Sequence, residues 1–121
     1  MFRSPLILGG DLTQLNSFEK ELITNTTLLY IDQNAKNCKQ LVGNENTVIY
    51  LTEDAKSNKK YMSFFNLSDS TNTVHYSLKD LGLTTTPKIK EVWSGQSVNT
   101  SNNEISEQVN AHGVLLFEIT E

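Results

Sequence analysis

The stretch TVHYSL at residues 73–78 alternates apolar and polar side chains without a break. Successive side chains of a β-strand point to opposite faces, so Val74, Tyr76 and Leu78 are predicted to face a core while His75 faces solvent. A strand with one apolar face is typical of an antiparallel sheet that is covered on one side. This stretch therefore predicts an antiparallel β fold.

Further short strands are predicted on both sides of this stretch, separated by polar segments rich in turn-forming residues. They cover residues 47–52, 61–67, 89–93 and 114–120, with a weaker candidate at 104–109. Short strands at this spacing predict a mainly β chain, in which residues 38–121 form an antiparallel β-sandwich.

The N-terminal region has a different pattern. The run PLIL at residues 5–8 is apolar on both faces, as in a buried strand of a parallel sheet. Ser17 is predicted to cap a helix that carries Phe18 and Leu22 on one face and ends at Asn25. A lone parallel strand has no partner, so residues 1–37 are predicted to be a remnant of a larger βα sheet. Such a strand would pack on the sandwich or pair with a second copy of the chain.

Length, charge and cysteine content exclude several classes of protein. The chain has 121 residues, a net charge of −4 and one cysteine, Cys38, which is interpreted as a partly buried apolar side chain. No cluster of Lys and Arg is present, so nucleic acid is not an expected partner. No apolar run is long enough to span a membrane, so a membrane is not expected either. These features do not indicate the cellular compartment.

The residues that could carry catalysis or bind a metal are few. His75 and His112 are far apart in the sequence and lack companions at metal-ligand spacing, so we predict neither a metal site nor a cofactor. Acid–base hydrolysis needs two carboxyl groups that face each other across a cleft. The carboxylates considered are Glu53, Asp54, Asp69, Asp80 and Glu91. Because most lie in or beside predicted turns, they are interpreted as solvated turn residues, and no catalytic residue is assigned.

Aromatic residues on the predicted strands could fill a core or form a platform for a sugar, and the core is the expected role because each buries a large apolar area. Trp93, followed by Ser94 and Gly95, is the aromatic residue expected to be partly exposed and is the candidate carbohydrate contact. Three sequences match the N-glycosylation pattern, at Asn25, Asn66 and Asn99.

Several motifs, in order along the chain, resemble the α-galactosidase (melibiase) family, glycoside hydrolase family 27. FRSPLILGGDL at residues 2–12 is similar to the segment that forms the eighth strand of the family's catalytic barrel, and the helix after Ser17 is similar to its last helix. Four later segments resemble parts of the family's C-terminal β-sandwich, namely YMSFFNLS (61–68), LKDLGL (78–83), VWSG (92–95) and AHGV (111–114). Glu91 and Val92 depart from the Asp-Leu that precedes the tryptophan in the family.

The resemblance implies a β-sandwich preceded by a strand-and-helix remnant of a (β/α)8 barrel. The catalytic aspartates of the family lie on earlier barrel strands, so the resemblance implies a non-catalytic C-terminal part whose partner is the catalytic barrel domain. The alternative is a free-standing carbohydrate-binding β-sandwich, with galactosides as ligands. Whether the parent enzyme acts on galactose, N-acetylgalactosamine or arabinopyranose stays open.

Overall fold

The computed structural model describes residues 6–83 and 85–121. Within these residues two helices precede eight strands, and two 3₁₀ turns lie at Leu12–Gln14 and Leu78–Leu81. The helices are α1 (Ser17–Thr24) and α2 (Thr26–Asn34). The strands are β1 (Ala35–Gly43), β2 (Thr47–Asp54), β3 (Lys60–Asn66), β4 (Asn72–Ser77), β5 (Lys88–Glu91), β6 (Ser97–Val98), β7 (Glu104–Val109) and β8 (Val114–Thr120).

The strands form two antiparallel sheets. A six-stranded sheet has the order β1-β2-β3-β8-β5-β6, and β4 pairs with β7 in a separate two-stranded sheet. The register at the centre of the large sheet places Ser63 opposite both Tyr50 and Leu116. The predicted mainly β, antiparallel sandwich is confirmed.

The main core lies between the two sheets. Met62, Phe64 and Phe117 from the large sheet pack with Val74 and Ile105 from the small sheet, and all five are buried. The rings of Phe64 and Phe117 meet edge to face, with centroids 5.1 Å apart. Aromatic pairs favour this geometry because the positive edge of one ring meets the negative face of the other. The expected core role of the strand aromatics is confirmed for Phe64 and Phe117.

The opposite face of the large sheet is covered in part by α2. Ile31 of α2 is buried together with Tyr61 of β3 and Leu116 of β8, and Trp93 packs at the border of this second cluster. Because α2 and the β4–β7 sheet cover opposite faces, the large sheet is the middle layer of the molecule. This explains why Tyr61, Met62, Ser63 and Phe64 are all buried although they alternate in direction.

The structure corrects several details of the predicted elements. Pro5 lies outside the described residues, while Leu6, Ile7 and Leu8 are exposed and belong to no strand, so they do not pack on the sandwich. A parallel strand needs hydrogen-bonded neighbours on its own sheet, and the described part of the chain supplies none there. The predicted cap Ser17 is the first helical residue, because Asn16 provides the N-cap.

Helix α2 and the strands β1 and β6 were not predicted. The helix predicted to end at Asn25 does end there, since Asn25 is the C-cap of α1, but α2 begins at the next residue because the side chain of Asn25 accepts the backbone N–H of Leu28. Strand β1 (Ala35–Gly43) has a polar sequence, but it pairs with β2 along an edge that contains two register shifts. The predicted domain boundary between residues 37 and 38 therefore falls inside a strand.

Candidate functional site

A tight turn after β5 fixes the position of Trp93. The buried carboxylate of Glu91 accepts the backbone N–H of Trp93 at 3.1 Å and the N–H and hydroxyl of Ser94 at 2.6 and 2.7 Å. Gly95 continues the turn with φ +71° and donates its N–H to the Glu91 carbonyl at 2.9 Å. The strand predicted for residues 89–93 ends at Glu91 because this turn begins there. The indole is held half-buried on the α2 side of the large sheet.

Helix α1 presents apolar side chains near this turn. Its first turn is closed by a reciprocal capping box, in which Asn16 Oδ1 accepts the N–H of Glu19 at 2.9 Å and Glu19 Oε2 accepts the N–H of Asn16 at 2.8 Å. Phe18 and Leu22 lie four residues apart and so share one face of the helix. Phe18 is 70% exposed and Leu22 is 36% exposed. The apolar face of α1 is therefore largely open.

An apolar groove of about 470 Å³ lies between α1 and the Trp93 turn. Its lining residues are Phe18, Glu21, Leu22, Asn25, Trp93 and Val114. Glu21 is the one charged side chain among these six, and the side-chain oxygen of Asn25 is already engaged in capping α2. An apolar groove with aromatic walls and few polar groups can accept another protein surface or a small ligand.

More exposed apolar residues precede the groove in the sequence. We use the name N-terminal apolar set for Leu6, Ile7, Leu8, Leu12, Phe18 and Leu22, all of which are exposed. Exposed apolar side chains are unremarkable when they are scattered, whereas a concentration of them marks an interaction surface. Leu67 and Val114 are the exposed large apolar residues of the described sandwich strands and loops. Most of the exposed apolar side chains are thus concentrated before residue 23.

A hydrogen bond between Tyr30 and Asp54 attaches α2 to the large sheet. Both carboxylate oxygens of Asp54 accept the hydroxyl of Tyr30, at 3.2 and 3.0 Å, and Asp54 also accepts the N–H of Lys56 and the hydroxyl of Ser57. The Ser57 hydroxyl contributes most to holding the pKa of Asp54 below its ordinary value, although burial acts in the opposite direction. Burial and the neighbouring Asp54 raise the pKa of the Tyr30 hydroxyl. This contact joins α2 to the end of β2.

The predicted candidates are not brought together into one site. Trp93 is partly exposed, as expected, and its contact with carbohydrate stays a prediction. His75 is exposed on β4, as expected. His112 lies in the turn before β8, where its Nε2 is 2.9 Å from Asp69 Oδ1 on the surface. In residues 6–83 and 85–121, no three His, Cys, Asp or Glu side chains form a group that could hold a metal ion.

The interpretation of the acidic residues as solvated turn residues is wrong for Asp54 and Glu91. Both are buried, and their oxygens accept N–H and O–H groups of the turns that follow them. Glu53 points elsewhere, to the side-chain N–H of Asn37 at 2.8 Å and to Lys60 at 3.9 Å. The hydrogen bond from Asn37 contributes most to lowering the pKa of Glu53. Each of these three carboxylates therefore has partners within the fold.

Asn66 has a structural role that the sequence did not predict. Its side chain is buried and its Nδ2 donates to the carbonyls of Ser70 at 2.7 Å and of Val109 and Asn110 at 3.0 Å each. Its Oδ1 accepts the N–H and the hydroxyl of Ser68 at 3.1 and 2.8 Å. The sequence does contain a signal for this role, because Asn66 continues the alternating series that places Met62 and Phe64 in the core.

Comparison with known proteins identifies the family of this fold. The family model described as the alpha galactosidase C-terminal beta sandwich domain matches residues 45–119. The α-galactosidase of Cyamopsis tetragonoloba is 25% identical over 121 residues, which cover 98% of this chain and 29% of that protein.

Solved structures show the same fold. A family 27 β-L-arabinopyranosidase from Geobacillus stearothermophilus superimposes with a TM-score of 0.90 at 27% identity, over 99% of this chain and 27% of that one. For a putative α-N-acetylgalactosaminidase from Bacillus halodurans, the TM-score is 0.90 at 21% identity, over 98% of this chain and 28% of that one. The chain therefore spans less than a third of the length of these relatives.

Proposed function

Because this chain belongs to the family of α-galactosidase C-terminal β-sandwich domains, we propose that it is a non-catalytic part that packs on a catalytic (β/α)8 barrel and stabilises it. The division was predicted between residues 37 and 38, but β1 begins at Ala35. The proposed accessory sandwich therefore begins with β1, and the segment that precedes it would complete the last βα unit of that barrel.

The observation that carries this proposal is the exposure of the N-terminal apolar set. Ile7 is 80% exposed and Phe18 is 70% exposed, although each would contribute about 1.5–3 kcal/mol if fully buried. The superposition on the Geobacillus stearothermophilus enzyme includes 99% of this chain and so extends over α1 and α2 as well as the sandwich. The helices thus have the placement found in a chain nearly four times as long, which supports a barrel as the cover of these side chains.

The proposed absence of catalysis is supported by the positions of the acidic residues. Glycosidic hydrolysis uses two carboxyl groups on either side of the bond to be cleaved. In the described residues, the buried carboxylates of Asp54 and Glu91 accept hydrogen bonds from their own turns. Asp69, which is exposed, lies against His112 on the surface. These acids stabilise loops of the sandwich, and we assign none of them to substrate.

A domain exchange tests the proposal. We would replace the C-terminal 29% of the Cyamopsis tetragonoloba α-galactosidase with this chain and measure hydrolysis of a nitrophenyl α-galactoside. We expect the chimera to be active and the isolated chain to release no nitrophenol. A matched control is the same enzyme truncated before the replaced segment, which should lose stability because its last barrel strand is missing. Turnover by the isolated chain would refute the non-catalytic role.

A second candidate function is a carbohydrate-binding module, and the groove supports it. Trp93 and Phe18 provide aromatic surface, and Glu21 provides hydrogen-bond acceptors for sugar hydroxyls. Calorimetry with galactose and methyl α-galactoside would detect such binding, and Trp93→Ala should abolish it. Binding that survives Trp93→Ala would show that the groove is not the sugar site.

Without a barrel, the N-terminal apolar set could be covered by a second copy of the chain, as predicted for the N-terminal segment. Sedimentation velocity tests this directly, because Phe18→Ser should shift a dimer toward monomer. A concentration-independent monomer would refute self-association and leave the barrel as the proposed cover.

A further inference from the structure

Three asparagines lie in the Asn-x-Ser/Thr pattern of N-glycosylation, and the structure distinguishes them. They are Asn25 in Asn-Thr-Thr, Asn66 in Asn-Leu-Ser and Asn99 in Asn-Thr-Ser. A folded glycoprotein can carry a sugar only where the side-chain nitrogen reaches solvent and the native contacts do not need it. Each asparagine can be judged by this criterion.

Asn66 does not meet the criterion. It is 1% exposed, and its Nδ2 donates to the carbonyls of Val109 and Asn110 at 3.0 Å. A sugar attached to this nitrogen would remove one of its two hydrogens and would have to occupy space that is filled by the β7–β8 turn. A chain modified at Asn66 could not reach the native packing.

Asn25 is a poor acceptor for a different reason. Its side chain is only partly exposed, and its Oδ1 caps α2 by accepting the N–H of Leu28 at 3.0 Å. It also lines the groove beside Trp93. A glycan at this position would lie against the apolar surface that the proposed function requires to be available.

Asn99 meets the criterion. It directly follows β6, at the free edge of the six-stranded sheet, and it is exposed. Among the hydrogen bonds of the described chain, none engages its side chain. Ser101 is exposed too, and it closes a tight hairpin with Glu104 through bonds of 3.3 and 2.9 Å. The hairpin holds the sequon on a surface loop, with the hydroxyl that the sequon requires also open to solvent.

We propose that Asn99 is an N-glycan acceptor when the chain passes through a secretory lumen. The donor class is an oligosaccharide linked to a polyprenyl diphosphate. Nδ2 of Asn99 forms a bond to C1 of the first sugar and loses a proton, while the bond from C1 to the diphosphate oxygen breaks and the diphosphate leaves with the electron pair. No oxidation or reduction occurs. The glycan then stands beside β6 and shields that edge of the sheet from pairing with other strands.

The test is secretion of the full chain by a yeast, followed by glycopeptide mapping of folded material from the medium and from the lumenal fraction. Sites are marked by peptide-N-glycosidase treatment in heavy-oxygen water, and the fluorescence of Trp93 verifies folding. We expect folded chains to carry sugar on Asn99. Asn99→Gln and Ser101→Ala should each remove this glycan, whereas the control Asn58→Gln, at an exposed asparagine outside any sequon, should leave it in place.

The proposal is overturned if folded chains bear no sugar at Asn99, whether they are unmodified or modified only at Asn25. It is equally overturned if native chains carry sugar on Asn66, since the criterion itself would then be wrong. These outcomes are independent of the proposed docking on a barrel, because the assay needs neither the barrel nor hydrolytic activity.

Discussion

Replacing Asn66 with alanine removes the polar link between two loops that are distant in sequence. The Asn66 side chain joins the β3–β4 loop, through Ser68 and Ser70, to the end of β7 at Val109 and to Asn110 in the turn that follows it. The two loops also meet through the backbone, where Asn66 donates its N–H to the carbonyl of Gly113 at 3.0 Å. The substitution leaves this backbone bond in place and removes only the side-chain bonds.

The expected loss of stability follows from the number and burial of these bonds. A typical hydrogen bond contributes about 1 kcal/mol net, and a buried group left without its partner costs about 1–3 kcal/mol. The carbonyl of Val109 is the most buried of the acceptors, because its bond to Asn66 is fully buried. We therefore expect Asn66→Ala to lower the free energy of unfolding by about 2–4 kcal/mol. For a domain of this size, the midpoint of thermal unfolding should fall by about 10 °C.

Urea denaturation followed by the fluorescence of Trp93, the single tryptophan, measures this change. The matched control is Asn58→Ala, since Asn58 is exposed in the β2–β3 turn and should alter stability by less than about 0.5 kcal/mol. Asn66→Asp provides a second test, because an ionised carboxylate cannot donate a hydrogen bond to the three carbonyls. This variant should lower the free energy of unfolding more at neutral pH than in acid. A loss below about 0.5 kcal/mol for Asn66→Ala would refute the structural role of this network.

Three further predictions follow from individual contacts. Gly113→Ala places a Cβ 2.9 Å from the carbonyl oxygen of Asn110 and should cost about 1–3 kcal/mol in urea denaturation; an unchanged midpoint would contradict this. Because the pKa of Asp54 is lowered in the folded state, the ionised carboxylate stabilises the fold at pH values above its ordinary pKa of 3.8, and this stabilisation is lost as the pH falls through the folded-state pKa. Asp54→Asn should therefore make the free energy of unfolding less dependent on pH in acid. An acid dependence equal to that of the unaltered chain would argue against this. Burial raises the pKa of the Tyr61 hydroxyl to about 12, so the contribution of the neutral side chain to stability is complete below its ordinary pKa of 10.0 and is lost as the pH rises through about 12. Ultraviolet titration should show one tyrosine that ionises at a higher pH than the others. Ionisation of all four tyrosines near 10.0 would contradict this.

The alternating strands could be predicted from the sequence because burial and strand periodicity act on the same residues. The bounds predicted for β7 and β8 agree with the structure, and the alternating stretch at residues 73–78 is displaced by one residue from β4. β1 could not be predicted in this way, because its polar residues lie at the edge of the sheet and are held by pairing with β2. In that strand, tertiary context outweighs intrinsic propensity.

The apolar run at residues 5–8 led to an incorrect element for a physical reason. A pattern that is apolar on both faces predicts burial, but it cannot say whether the covering surface belongs to the same chain. Leu6, Ile7 and Leu8 remain exposed here, because the described part of the chain supplies no surface that covers them.

The candidate site was only partly predictable. The turn-forming Ser94 and Gly95 indicated that Trp93 would be partly exposed, and this is where the structure places it. The groove itself depends on α1 approaching the β5 turn, a contact between residues about 70 positions apart that periodicity cannot reveal. The buried roles of Asp54 and Glu91 were missed because an acid beside a turn is usually solvated, and only the structure shows that the turn closes over the carboxylate.

The most direct test of the proposed docking is the thermal inactivation of the chimera with the Cyamopsis tetragonoloba enzyme, compared between Phe18→Ser and Leu67→Ser. Both side chains are exposed in the isolated chain, at 70% and 48%, so each substitution should change its own unfolding by less than about 0.5 kcal/mol. If a barrel covers α1, Phe18→Ser should shorten the half-life of the chimera severalfold, while Leu67→Ser, on the β3–β4 loop, leaves it unchanged. Equal half-lives for the two variants would contradict the account.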